Sequence, residues 1–424
     1  MTDRITVAGQ GQRCPDCGTW APVEAGFVTW CEACGWNVDP GAPDPAPGRI
    51  EAMRRELARR YGERLVADLG PRPHRDAASV VAYVLALLVH GVTVGLLVAG
   101  VLLAVLGWGV GLLPVVGLLL VVLAVVLRPR FAALPEDAVV LRRPDAPALF
   151  ALVDEVAAVA GTTGVDAVVV DADANASVGS YGVRHRRVLH IGLGVWEVLT
   201  PQQRVALLGH ELGHFAHGDL RHGAVVARAL HSLALWHYFL TPAHDGDLMQ
   251  RATNWMLAGP RWAVLGLLRL LDLLTLRAAQ RAEYLADGTA ARAGSTAAAT
   301  GLLDRLLIVP SVELALRRES VVAHSRGGSA ARRDAAHGLW ERVAARIASV
   351  PEREYERLRR VSALRGHSAD STHPPTHLRR QRVEADEQWE ATVRCDAERA
   401  GLIAAELASA RERTAHLVIR DGVA

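Results

Sequence analysis

Lysine is missing from this sequence: all 47 basic residues are arginines. Beside abundant Ala, Val, Leu and Gly, this reads as the compositional bias of a GC-rich genome, and it carries no functional weight. An excess of charge is missing too. The 47 basic residues face 45 acidic ones, and a net charge of +2 gives no support to a nucleic-acid partner. Cysteine is scarce, with five residues. Four form two pairs near the N-terminus and Cys395 stands alone, which excludes a disulfide framework spread through a secreted fold. The first residues are polar, so no cleavable signal peptide is expected. No internal repeat is apparent.

What is present begins with "CPDCGTWAPVEAGFVTWCEACG". Cys14 and Cys17 form one CxxCG turn, Cys31 and Cys34 a second. Each turn brings two thiolates together, and four thiolates close a tetrahedral zinc site. A structural zinc ribbon is expected over residues 1–40, with a surface open to a protein partner. "DPGAPDPAPG" then reads as a linker. Ile50, Met53, Leu57, Tyr61 and Leu65 repeat at helical spacing among arginines, so residues 41–76 are linker plus a basic amphipathic helix. Such a helix suits anionic lipid or a face of its own protein.

From Ala77 to Leu127 there is no Asp, Glu or Arg. That is long enough for two spans of about 20 residues each, and "GWGVGLLP" interrupts it near the middle. A transmembrane hairpin over 77–130 is expected. Arg72, Arg75, Arg128 and Arg130 flank it and the turn has none, which places both ends in the cytoplasm. That agrees with thiolates that need a reducing side.

Beyond the hairpin the chain turns mixed α/β. "VDAVVVDADANASVGSYG" and "RRVLHIGLG" read as short strands around polar turns. "TPQQRVALLGHELGHFAHGD" reads as a helix: Thr200 caps it, Pro201 opens it and Gln203 completes a capping box. Two further apolar stretches within 223–278 are broken by Arg228, Arg261, Arg269 and Asp272. They could form a second membrane hairpin or an amphipathic hairpin against the bilayer. A charged helical region, 311–424, follows.

On a helix, His210 and His214 share a face one turn apart, so both reach one metal ion. Glu211 stands beside it, placed to take a proton from water. His217 is about 10 Å along the axis from His210, too far to share the ion. The metzincin pattern fails, because His217 and Leu220 stand where it needs Gly and His. A carboxylate from another helix remains. In "RAAQRAEYLADGTAARAG" Glu283 and Asp287 stand four apart. Glu283 can ligate while Asp287 orients a ligand imidazole.

With these residues in view, the sequence resembles the membrane zinc peptidases that include the HtpX heat-shock protease and the CAAX prenyl endopeptidase. The resemblance rests on HELGH at 210–214, EYLAD at 283–287, Asn175–Ala176 and "STHPP" at 371–375, in that family's order and after a membrane hairpin. It implies His210, His214 and Glu283 as zinc ligands and Glu211 as general base. It implies that the strand at Asn175 and Ala176 lines the substrate cleft, and that His373 faces the substrate and donates to the oxyanion. Ser177 departs from the larger apolar residue usual there, and the N-terminal ribbon lies outside the usual pattern.

The expected fold is mainly α with a small β-sheet: a zincin-type metallopeptidase domain at 131–310 behind a ribbon and a membrane hairpin. The expected function is zinc-dependent endoproteolysis of membrane or misfolded proteins at the cytoplasmic face of the cell membrane, with one catalytic and one structural Zn2+. Zinc-bound water activated by Glu211 is the expected nucleophile. Peptide substrate, lipid bilayer and a protein partner of the ribbon are the expected contacts. The rival expectation is a catalytically inactive, membrane-anchored adaptor.

Overall fold

A computed structural model of the chain describes residues 11–41, 77–130, 133–134, 138–217, 220–242, 248–365 and 373–422. The basic helix expected over 50–65 and the Ser371–Thr372 part of STHPP lie outside the described residues. The ribbon carries an antiparallel pair, β1 (Gly11–Arg13) and β2 (Trp20–Pro22). Its two knuckles are built alike. The Cys14 and Cys31 carbonyls each accept an N–H from the glycine four residues on, and Gly18 and Gly35 adopt φ of 73° and 78°, which a side chain would resist.

The apolar segment forms α1 (Ala77–Leu106) and α2 (Leu113–Leu127). Helix α1 is long and apolar enough to cross a membrane. The 15 residues of α2 reach only about 22 Å, short of the roughly 30 Å hydrocarbon core. The turn consumes the difference, with Gly109 and Gly111 at positive φ. The two legs meet through glycine: a Cβ on Gly117 would lie 2.4 Å from the Ala104 nitrogen, and one on Gly100 2.8 Å from the Gly117 carbonyl.

A four-stranded sheet follows, from β3 (Val139–Leu141), β4 (Ala167–Asp171), β5 (Ala176–Tyr181) and β6 (Arg186–Gly192), in the order β3-β4-β6-β5. Strands β4 and β6 are parallel, and β5 hairpins onto β6 with Ala176 opposite Ile191. Among the described residues β5 is therefore an edge strand. Between and after the strands run α3 (Pro147–Ala160), α4 (Leu193–Trp196), α5 (Pro201–His217), α6 (Leu220–Phe239), α7 (Leu248–Met256) and α8 (Ala258–Gly294). The C-terminal region adds α9 (Thr296–Leu307), α10 (Val309–Arg326), α11 (Ser329–Ala336) and α12 (Leu339–Ala348). It ends with α13 (Glu352–Arg365), α14 (Thr376–Ala385), α15 (Ala397–Glu406) and α16 (Ala408–Asp421).

One apolar core joins α3, the sheet, α5 and the end of α8 to the C-terminal helices. Leu152, Ile191, Leu208, Leu302, Ile347 and Ile419 all belong to it. The expected boundary at residue 310 thus cuts through a single core. A second cluster packs Ala82, Ala86 and Val89 of α1 against Leu233 and Trp236 of α6 and Leu271 of α8.

Candidate metal centre and active site

Helix α5 starts where its sequence says it should. The Thr200 N–H donates to Gln203 Oε1 at 3.0 Å, and the Gln203 N–H donates to Thr200 Oγ1 at 3.3 Å. This reciprocal cap fixes the helix that carries His210, Glu211 and His214. Its partner is the second half of α8, and the contact is a seam of small residues. A Cβ on Gly213 would lie 2.9 Å from Ala286 Cα, one on Gly209 3.0 Å from Ala290 Cα, and one on Gly294 2.8 Å from the Ala206 nitrogen. The helices therefore touch backbone to backbone, and short side chains from both reach a common point.

At that point the donors converge. His210 Nε2 and His214 Nε2 are 3.3 Å apart. Glu283 Oε2 is 3.5 Å from His210 Nε2, and Oε1 is 3.6 Å from His214 Nε2. A tetrahedral zinc with bonds of 2.0–2.1 Å separates its ligand atoms by about 3.4 Å. The His210–His214 spacing matches one edge of that tetrahedron, each imidazole has a Glu283 oxygen at a similar distance, and one ligand atom from each of the three residues lies within 4.8 Å of the others, so the group could hold a metal ion. His210 Nδ1 is 2.9 Å from Asp287 Oδ1, so Asp287 holds the Nδ1 N–H and Nε2 is the ring atom that faces the donor group. His373 Nδ1 lies 2.9 Å from Glu283 Oε2, while its side chain is 62% exposed. His373 thus stands at the rim, held by the carboxylate of the donor group.

Arg379, on α14, is a member of the site that the sequence did not reveal. It is buried, donates through Nε and Nη2 to Asp287 at 2.8 and 2.7 Å, and stands 3.4 Å from Glu283. The charges adjust to this setting. Burial lifts the Glu211 carboxyl to about 7 despite the pull of His210. Burial, helped by repulsion from His210, pushes His214 down to about 4, so it is neutral and free to ligate. Burial opposes ionisation of Asp287, but Arg379 and His210 outweigh it and hold the carboxyl well below its usual range. For Glu283 burial is likewise overcome, by the His373 hydrogen bond and by His210, and the net shift is downward.

Asn175 and Ala176 are not in the donor group. The Asn175 carbonyl accepts the Gly192 N–H at 2.9 Å, and Ala176 begins β5, which packs against α5. The edge strand therefore runs past the metal-site helix. The four ribbon thiols form a second cluster. Cys14 and Cys34 Sγ are 3.6 Å apart, as are Cys17 and Cys31, and all four lie within 4.8 Å of one another. Zinc–thiolate bonds of 2.3 Å set tetrahedral edges of about 3.8 Å, so this cluster fits zinc too.

The model of peptidase family M48 matches residues 145–387, more than half of the chain. The chain belongs to peptidase family M48. The match begins before α3 and ends after α14, so it takes in His210, His214, Glu283, His373 and Arg379 together. M48 peptidases are zinc metalloproteases, hydrolases acting on peptide bonds, and this member carries a four-cysteine cluster ahead of the matched region. No curated protein and no solved structure matches the chain.

Proposed function

We propose that this M48 peptidase is a membrane endopeptidase that cuts membrane or misfolded proteins at the cytoplasmic face, with one catalytic and one structural zinc. The observation that carries the reading is the donor triangle of His210, His214 and Glu283 at zinc spacing, with Glu211 buried beside it. Zinc held there supplies a Lewis acid that polarises a peptide carbonyl and acidifies water. Asp287 fixes the His210 tautomer, and Arg379 fixes Asp287. Glu211 takes the proton of the attacking water and delivers it to the leaving amine. His373, anchored by Glu283 and exposed, offers a donor to the oxygen on which negative charge develops. An extended substrate adds to the open edge of β5 along Asn175 and Ala176.

The membrane part of the reading rests on α1 and on the apolar side chains the hairpin leaves exposed, among them Leu88, Leu102, Leu106 and Leu119. In water such a surface is an association hazard; in lipid it is solvated. Close packing on α1 lets the shorter α2 cross as a thinned or tilted second leg, and the flanking arginines set both ends in the cytoplasm.

The test is cleavage of casein by the full chain in detergent, with metal analysis alongside. A chelator should abolish cleavage. Glu211→Gln should keep its catalytic zinc and lose about a hundredfold or more of turnover, because only the proton acceptor has gone. Cleavage that survives either treatment would overturn the proposed mechanism.

A further inference from the structure

The ribbon cannot hold its shape on apolar contacts of its own. Among its described residues only Cys14, Ala21, Trp30, Cys31 and Val38 are buried, too little core for an independent domain without a metal or another staple. Part of that core is borrowed: Trp30 and Val38 share their cluster with Val361 of α13. Arg360 of α13 donates to the Glu32 carbonyl at 2.7 Å, and Arg353 stands 3.6 Å from the Glu32 carboxylate. The ribbon is therefore shaped by what its thiols hold and by the helix it leans on.

Helix α13 in turn holds the head of α14. Ser362 Oγ accepts the His377 backbone N–H at 3.4 Å and lies 3.2 Å from His377 Nδ1. A second tie runs through α9, where one Asp304 oxygen is 3.1 Å from Arg359 of α13 and the other is 3.2 Å from Arg380 of α14. His377 stands between His373 and Arg379 in the chain, so the tie falls in the segment that brings both to the metal centre. The two differ in how firmly they sit. Arg379 is buried and forked onto Asp287, whereas His373 is exposed at the rim. His373 is thus the side chain that a loosened α14 would displace first.

We propose that the ribbon is a positioning device for the peptidase centre, so that turnover depends on the ribbon's metal loading as well as on that of the centre. A loaded ribbon seats α13, and α13 holds the head of α14 so that His373 faces the substrate. An empty ribbon loses its shape, α13 loses its partner, and His373 drifts. A displacement of about 1 Å at a reacting centre costs on the order of a hundredfold, so a small drift is enough. This rests on the reading of His373 as the oxyanion donor and adds what holds it in place.

The experiment compares Trp30→Ala, Ser362→Ala and Cys14→Ser/Cys17→Ser with the unaltered full chain in detergent. The cysteine pair empties the ribbon without a chelator, which would empty both sites. Amide exchange over Thr376–Ala385 should quicken at least tenfold in the Trp30 and cysteine variants. Their kcat on casein should fall about tenfold with KM kept, a part of the roughly hundredfold that losing one oxyanion donor costs. Ser362→Ala should do the same while exchange within the ribbon stays slow, which separates the tie from ribbon folding. Each change should cost little further kcat in a His373→Ala background, because it acts through that side chain. Losses that simply add in that background would make the ribbon a general stabiliser and overturn the proposal. Unchanged exchange over Thr376–Ala385 with the ribbon emptied would overturn it as well. A His373→Ala variant with normal kcat would strike the oxyanion reading alone; quickened exchange would then still uphold the ribbon's hold on α14.

Discussion

Arg379 balances the catalytic centre. Three carboxylates, Glu211, Glu283 and Asp287, are buried beside His210 and His214, and Arg379 is the guanidinium buried among them. Replacing one member of a buried ion pair leaves the other uncompensated, at a cost of about 3–5 kcal/mol. Arg379→Met should therefore lose about that much in urea unfolding followed by tryptophan fluorescence. A loss below about 1 kcal/mol would mean that water already solvates Asp287. That His210, His214 and Glu283 could meet was legible in the sequence because of helix geometry: spacing of four puts His210 over His214, and Glu283 and Asp287 repeat that spacing on a second helix. Arg379 was not legible. It sits in "LRRQR", in a chain whose every basic residue is arginine, and nothing local says which of these turns inward. The nearest signal is its place just after the "THPP" turn.

The elements were read better in kind than in extent. The capped start of α5 and the two knuckles of the ribbon came out as local chemistry dictates. Helix α8 did not: the apolar stretch before Arg277 and the EYLAD segment form one helix of 37 residues, about 55 Å long. Charges such as Arg269 and Asp272 punctuate composition but do not break backbone hydrogen bonds, and no proline intervenes beyond the first turn. The seam between α5 and α8 was also hidden, since Gly209 and Gly213 inside a helix look like weak points until a neighbour is seen to need the room. The HELGH glycine has a metal-site consequence. In Gly213→Val the new side chain must push Ala286 away, and the two histidines move off Glu283. Zinc affinity measured by competition with a fluorescent chelator should fall at least tenfold, by analogy with losing a supporting group around a metal. Unchanged affinity would show that the helices can part without moving the donors.

At the scale of the whole molecule, the ribbon is docked on the chain's own C-terminal region. Trp30 is buried between Arg353 and Arg360, whose guanidinium carbons stand 4.7 and 4.9 Å from the ring. Arg357 donates to the Val38 carbonyl at 2.7 Å, and Arg365 forks onto Asp39 with both bonds at 2.8 Å. These arginines all come from α13, and Ser362 of the same helix bonds His377 at the head of α14, the helix that carries Arg379. Nothing in the sequence marked this pairing, because an arginine-rich helix face reads the same whether it meets water or a tryptophan. Trp30→Ala should free the face: amide hydrogen exchange along Glu352–Arg365 should speed up at least tenfold, and Cys14→Ser/Cys17→Ser should do the same by unfolding the ribbon. Protection kept in both variants would show that α13 is held by the core alone. The docking also orders events in time. Val38 and Arg357 are 319 residues apart, and at about 5–20 residues per second the ribbon waits about 15–65 seconds on the ribosome for its seat. His373 and Arg379 emerge in that same late stretch. Until then the HELGH helix exists without the two side chains that contact Glu283 and Asp287.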